Sequence, residues 1–151
     1  MELTDLYRDV ILDHNRRPRN FGTLDHADAS AEGVNPLCGD RLTLRLNLST
    51  DKIEDIRFEG QGCAISTASA SLMTEAVKGR TRSEALQLFD RVHELLTDDA
   101  APQAEELGKL AALSGVRAYP ARVKCASLCW HTLASALRSS NPQVLPAVST
   151  E

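Results

Sequence analysis

Three short stretches carry the residues able to do chemistry in this chain: Asn35-Pro36-Leu37-Cys38-Gly39-Asp40, Gly60-Gln61-Gly62-Cys63-Ala64-Ile65-Ser66 and Arg122-Val123-Lys124-Cys125. Thiolates bind soft and borderline metals and are also the nucleophiles that carry sulfane sulfur. Three cysteines and the Asp40 carboxylate can therefore hold an ion, do sulfur chemistry, or both. Between Cys38 and Cys63 stand 24 residues, and between Cys63 and Cys125 stand 61. No local zinc-finger pattern has that spacing, so any site has to be assembled by the fold.

Each residue also has an ordinary structural reading. Cys38 lies between Pro36 and Gly39-Asp40, a composition that breaks regular structure and lets two side chains converge from a loop; alone, it is as well read as a free buried thiol beside a turn aspartate. Cys63 follows two glycines and precedes a helical pattern, which places its sulfur in the positive potential of a helix N-terminus and favours the thiolate. Cys125 and Cys129 are four apart on a predicted helix and share a face. Cys129, flanked by Leu128 and Trp130, reads as a small core hydrophobe. His131 points away from Cys125 around the same helix and is not taken as a ligand, and His14 reads as a hydrogen-bonding helix residue. Ser66, Thr67, Ser69 and Ser71 form a small polar helix face with no base nearby to make a nucleophile.

The frame that must bring these residues together is one domain of ordinary globular composition: 151 residues, 42% hydrophobic, 25% charged, net charge −4 and pI near 5.6. An acidic chain without a Lys/Arg run lacks the electrostatic footprint of a nucleic-acid binder. No apolar run approaches membrane-spanning length, and the charged N-terminal stretch is unlike a secretory signal, so no membrane association and a cytoplasmic location are expected. In a reducing compartment four cysteines read as ligands or reactive thiols rather than two disulfides.

Leu3, Leu6, Tyr7, Val10 and Ile11 predict an amphipathic first helix ending before a turn at Arg17–Gly22. Leu42, Leu44, Leu46 and Leu48 alternate with polar residues as a half-buried strand, and after a Ser49-Thr50-Asp51 turn Lys52 to Glu59 completes an antiparallel hairpin. Further helices are predicted from Ala64 to Lys78 with Gly79 as its stop, from a Thr81/Glu84 capping box to about Thr97, from Glu105 to Leu113, and from Ala121 to Leu137. Asp98 to Ala104 reads as a surface loop, and residues 139–151 as a flexible tail following a domain of residues 1–138.

Asn35-Pro36-x-Cys38-Gly39-Asp40, Gly60-x-Gly62-Cys63-Ala64-Ile65-Ser66-x-Ala68-Ser69-Ala70-Ser71 and Arg122-Val123-Lys124-Cys125-Ala126-x-Leu128-x-Trp130 resemble the three signature blocks of SufU-type proteins, within the wider IscU/NifU-like superfamily of iron-sulfur cluster assembly. Tyr7 to Gly22, with Asp13-His14 and Pro18-Arg19-Asn20, is similar to the opening of that family, so the resemblance runs over residues 1 to about 138. Lys124 stands where the IscU branch has a His, Tyr119 to Lys124 replaces the IscU Leu-Pro-Pro-Val-Lys stretch, and the segment between Val77 and Cys125 is long, as in the SufU branch. Cys129, where alanine is commoner, and Asn15, where an aromatic is usual, depart from the pattern.

The resemblance implies an α+β fold, a small antiparallel sheet packed with helices. It implies a metal site of Cys38, Asp40, Cys63 and Cys125; Cys129, a departure from the family's pattern, leaves open an alternative fourth ligand. The implied function is that of a zinc-dependent sulfur acceptor. Cys38 would take persulfide sulfur from a SufS-type cysteine desulfurase, assisted by Asp40, when a partner His displaces one ligand. The sulfur would pass on to a downstream SufBCD-like scaffold. Arg122 and Lys124 would pair with the partner or steady the persulfide. Two alternatives are a scaffold that holds iron or a [2Fe-2S] cluster on the same donors, and a binding module with a structural zinc.

Overall fold

A computed structural model of the protein describes residues 3–97, 105–116, 119–138 and 148–149. The expected hairpin is formed by β2 (Asp40–Ser49) and β3 (Lys52–Gln61), antiparallel and closed at Ser49↔Lys52. Thr50 and Asp51 between them both have positive φ (51° and 66°), as the tight two-residue turn that suits strand twist requires. Along β2 the even positions Leu42, Leu44 and Leu46 are buried while their odd neighbours are partly or fully exposed, so one face of the sheet is covered by helices and the other meets water.

A third strand, β1 (Ala29–Asn35), pairs antiparallel with β2 from Ala29↔Leu46 to Asn35↔Asp40. It is absent from the pattern-based reading, because Ala-Ser-Ala-Glu-Gly-Val-Asn has little strand propensity. Its buried positions, Ala29, Ala31, Gly33 and Asn35, are mostly small because a helix lies close against them. A β-carbon built on Gly33 would stand 2.2 Å from Thr132 Oγ1 and 3.0 Å from Leu128 Cδ1. Residues Val148–Ser149 (β4) pair parallel with Gly33 and Val34, giving the order β3-β2-β1-β4. On the other edge Phe58 N–H donates to Asn20 O and Gly22 N–H donates to Phe58 O, while Phe21 meets Phe58 edge-on at 5.3 Å.

The helices are α1 (Leu3–Arg16), α2 (Ala64–Val77), α3 (Arg82–Thr97) and α4 (Pro120–Arg138), with a 3₁₀ segment Glu105–Val116 kinked at Gly108 in place of the expected short helix. The capping box is present: Glu84 N–H donates to Thr81 Oγ1 at 3.1 Å and Thr81 N–H donates to Glu84 Oε1 at 3.0 Å. From Cys125 to Leu137 nearly every residue of α4 is buried, so it is the central helix, packed against β1, β2, α2 and α3. Ser69 Oγ–H donates to Ala126 O at 2.6 Å, tying α2 to α4. The fold is thus α+β, a small sheet whose three long strands are antiparallel, packed with helices. The expected loop 98–104 and most of the tail from Ser139 lie outside the described residues. No described helix is long and apolar enough to cross a membrane.

The α1–α2 contact contains a buried histidine. His14, 1% exposed, places Nδ1 2.7 Å from Ser71 Oγ and leaves Nε2 with no hydrogen-bond partner. Burial first, then the nearby Arg19 cation, lowers its pKa from the usual histidine value. The folded state holds it neutral, whereas the unfolded chain takes up a proton below about pH 6.5. This contribution to stability is complete above about pH 6.5 and is lost as pH falls from there through the lower folded pKa. His131, lowered chiefly by burial and then by His93, acts with the same sign. Denaturation in the presence of a chelator should therefore show a midpoint that drops between about pH 7.5 and 5.5, and His14→Gln should flatten that slope. A slope unchanged by His14→Gln would show that this ring does not couple folding to pH.

Candidate metal centre

The β1–β2 connection presents the first two donors. Asn35 ends β1 and precedes Pro36, which keeps it extended; its carbonyl then accepts from Cys38 N–H (3.2 Å) and Gly39 N–H (2.9 Å). Gly39 takes φ +72°, a conformation costly for a side-chain-bearing residue, and swings the chain back so that Asp40 starts β2 opposite Asn35. This turn exposes Cys38 and buries Asp40 to 2% exposure two residues later.

Cys63 follows the end of β3, where Gln61 pairs with Arg41, at the same end of the sheet as the Cys38 turn. It is the N-cap of α2, in extended conformation, and its sulfur accepts from Ser66 N–H at 3.4 Å. A sulfur in that place meets the helix's unsatisfied N–H groups. Its own N–H donates to Asp40 Oδ1 at 2.8 Å, and its sulfur lies 3.9 Å from Asp40 Oδ2. Bare Gly62 permits this: a β-carbon there would sit 2.7 Å from Asp40 Oδ1. Asp40 therefore ties β2 to the start of α2.

Cys125 reaches the same place from the first turns of α4. It is 2% exposed, and its sulfur lies 3.3 Å from that of Cys38. Two sulfurs each about 2.3 Å from one tetrahedral ion stand roughly 3.8 Å apart, so the free thiols are already near the separation a shared cation needs. Donor atoms of Cys38, Asp40 and Cys125 all lie within 4.8 Å of one another, the one such cluster among the described residues. Cys63 stands beside the cluster through its contact with Asp40 rather than within that radius.

Within this group the Cys125 thiol is disfavoured as an anion unless a cation is beside it. Burial, followed by the neighbouring Cys38, Asp40 and Cys63 groups, drives the Cys125 thiol far above the usual range. Three sulfurs and a carboxylate cannot all carry charge in this small volume unless a positive ion compensates them. A soft or borderline divalent metal suits three sulfurs and one oxygen.

The remaining residues considered from sequence fall elsewhere. Cys129 is 1% exposed, contacts Ser69 Oγ at 3.4 Å, and is pushed up to about 12 by burial, against the opposing effect of the Ser69 hydroxyl. It lies outside the donor cluster. His131 packs against Phe89 and His93, with ring centroids 5.3 and 6.1 Å away. Arg122 lies over the Tyr119 ring at 4.6 Å, a cation–π contact at the exposed start of α4. Sequence reading did not find Asn35, whose Nδ2 donates to Asp40 Oδ2 (3.4 Å) and to Cys125 Sγ (3.5 Å). Its sequence signal is its place at the head of the first signature block, just before the Pro36 turn.

Comparisons with known proteins show the family. Residues 6–126 match the family described as the NifU-like N terminal domain. The chain is 45% identical over 145 residues to the "Iron-sulfur cluster assembly scaffold protein IscU" of Streptococcus pyogenes serotype M1, covering 95% of this chain and 91% of the relative. It is 44% identical over 131 residues to the "Zinc-dependent sulfurtransferase SufU" of Bacillus subtilis (strain 168), covering 87% and 88%. In structure it is similar to a putative iron-sulfur cluster assembly scaffold protein for the SUF system from Fervidobacterium islandicum, with TM-score 0.82 and 36% identity over 91% of this chain and 100% of that one. A thiol-and-carboxylate cluster built on β1–β2, α2 and α4, with sequence identity over nearly the whole chain, places this protein in the NifU-like N-terminal domain family, among the SufU and IscU proteins of iron-sulfur cluster assembly.

Proposed function

We propose that this protein is a zinc-dependent sulfur acceptor that takes persulfide sulfur from a SufS-type cysteine desulfurase and passes it toward iron-sulfur cluster assembly on a SufBCD-like scaffold. The observation that carries the proposal is the contrast between two sulfurs 3.3 Å apart: Cys38 is exposed on a turn, and Cys125 is buried in the central helix. One face of the cluster can meet an incoming persulfide while the other anchors it. The name of the Bacillus subtilis relative supports zinc and sulfur transfer.

Cys38, Asp40, Cys63 and Cys125 are the proposed ligands. Zinc, when bound, supplies the positive charge that keeps these thiols ionised at neutral pH. Cys38 thiolate attacks the outer sulfur of the desulfurase persulfide; a new S–S bond forms at Cys38, the old one breaks, and the desulfurase cysteine leaves as thiolate. No oxidant is needed, because the transferred sulfur arrives already at the sulfane level. Asp40, held by the Cys63 N–H, tunes how readily the site opens and assists the exchange at Cys38.

A second reading rests on the Streptococcus pyogenes relative, named a scaffold: the same three sulfurs and oxygen can hold iron or a [2Fe-2S] cluster. Alanine production by the cognate desulfurase, with and without one equivalent of the zinc form, separates the two. Strong stimulation that disappears when zinc is stripped is expected. No stimulation, together with iron- and sulfide-dependent visible absorption transferable to an apo acceptor, would move the assignment to the scaffold.

A further inference from the structure

Asn35 touches three of the four proposed ligand residues. Its backbone carbonyl shapes the turn through Cys38 and Gly39, and its backbone pairs with Asp40. Its side-chain Nδ2 has two hydrogens and two acceptors, Asp40 Oδ2 and Cys125 Sγ, brought together from β2 and α4. The residue is 0% exposed, and its other side-chain atom, Oδ1, is buried with no hydrogen-bond partner. Leaving an amide oxygen unmet in a core is destabilising, and an apolar residue of the same size would avoid it. What the amide provides at that position is the positive end of its dipole, directed at a carboxylate and a sulfur that carry negative charge once a cation is bound.

Resting on the proposed metal site, we propose that Asn35 is a positioning residue for it: its NH₂ group fixes Asp40 Oδ2 relative to Cys125 Sγ and so sets how readily the oxygen corner of the site opens. Groups that orient metal ligands by hydrogen bonds are commonly worth 10- to 100-fold in metal affinity. The backbone carbonyl does not depend on the side chain, so the turn bearing Cys38 should survive substitution.

The test compares the zinc-loaded wild type with Asn35→Leu and Asn35→Ser. It follows zinc transfer to a chromogenic chelator and the absorption spectrum of the cobalt-substituted proteins. Asn35→Leu is expected to lose zinc at least about 10-fold faster. Its cobalt form should keep the thiolate charge-transfer bands but show weaker tetrahedral ligand-field bands as the Asp40 corner opens. Its metal-free form should unfold at the same or higher denaturant concentration than metal-free wild type, because the unmet oxygen is gone. Asn35→Ser, whose hydroxyl still donates to one acceptor, should fall between the two in zinc loss, and it carries the test if the leucine variant does not fold. Wild-type zinc loss and an unchanged cobalt spectrum in these variants would overturn the assignment. So would faster loss matched by lower metal-free stability, which would make Asn35 a packing residue only. A wild-type protein that binds no zinc, or a Cys125→Ser variant that binds it as tightly as wild type, would instead remove the metal-site reading beneath it.

Discussion

Cys38→Ser is expected to lose sulfur uptake almost completely, on the order of 100-fold or more, while folding as the wild type does, because the thiolate is the attacking species and a serine hydroxyl neither ionises near neutral pH nor forms an S–S bond. Cys38 and Cys63 are both exposed, but only Cys38 stands on a turn outside the helices. Cys125 is buried and its thiol is strongly disfavoured as an anion without a cation, while Cys63 accepts from Ser66 N–H as the cap of α2. The exposed turn position of Cys38 leaves little packing to lose, so the thermal midpoint of the metal-free variant should stay close to wild type. Mass spectrometry after incubation with the desulfurase and cysteine reads the added sulfur directly. Substantial persulfide on Cys38→Ser would sink the assignment of Cys38 as acceptor.

Gly33→Ala should have a large effect although it lies outside the donor set. The new β-carbon would lie 2.2 Å from Thr132 Oγ1, inside contact distance, and 3.0 Å from Leu128 Cδ1, so α4 has to move off β1. Overpacking of this kind costs about 1–3 kcal/mol. The consequence reaches the site because α4 carries Cys125 and β1 leads into the Cys38 turn; shifting one element from the other separates the two sulfurs now 3.3 Å apart. Weaker zinc retention should therefore accompany the lower denaturation midpoint. Thr132→Ala in the same chain removes the nearer clash and should recover part of both effects. A Gly33→Ala protein with wild-type stability and zinc retention would show that the helix can adjust without disturbing the site.

The elements nearest to regular patterns were legible in the residues alone. Strict alternation through Leu42–Leu48 yields β2, and Thr81 with Glu84 yields the start of α3, because side-chain period and capping are local properties. β1 was not legible. Its buried side chains are small because α4 lies against them, and a strand selected for close approach carries no hydrophobic alternation to read. The 3₁₀ geometry of Glu105–Val116 was likewise hidden, its kink falling at Gly108 with φ 58°.

The donor residue types, their turn and helix-start settings, and the resemblance of three blocks to one family were all determined by sequence by itself, since thiol and carboxylate chemistry and local backbone preference belong to short stretches. Tertiary structure alone decided which of these groups meet. Cys38 and Cys125, 87 residues apart in the chain, have sulfurs in contact only because α4 crosses β1 at Gly33. It separated Cys129 from the cluster by burying it against Ser69, and it turned Asn35 into a bridge between Asp40 and Cys125. The physical reason is the same in each case: a distance between residues far apart in sequence is set by how whole elements pack, and no local pattern carries that information.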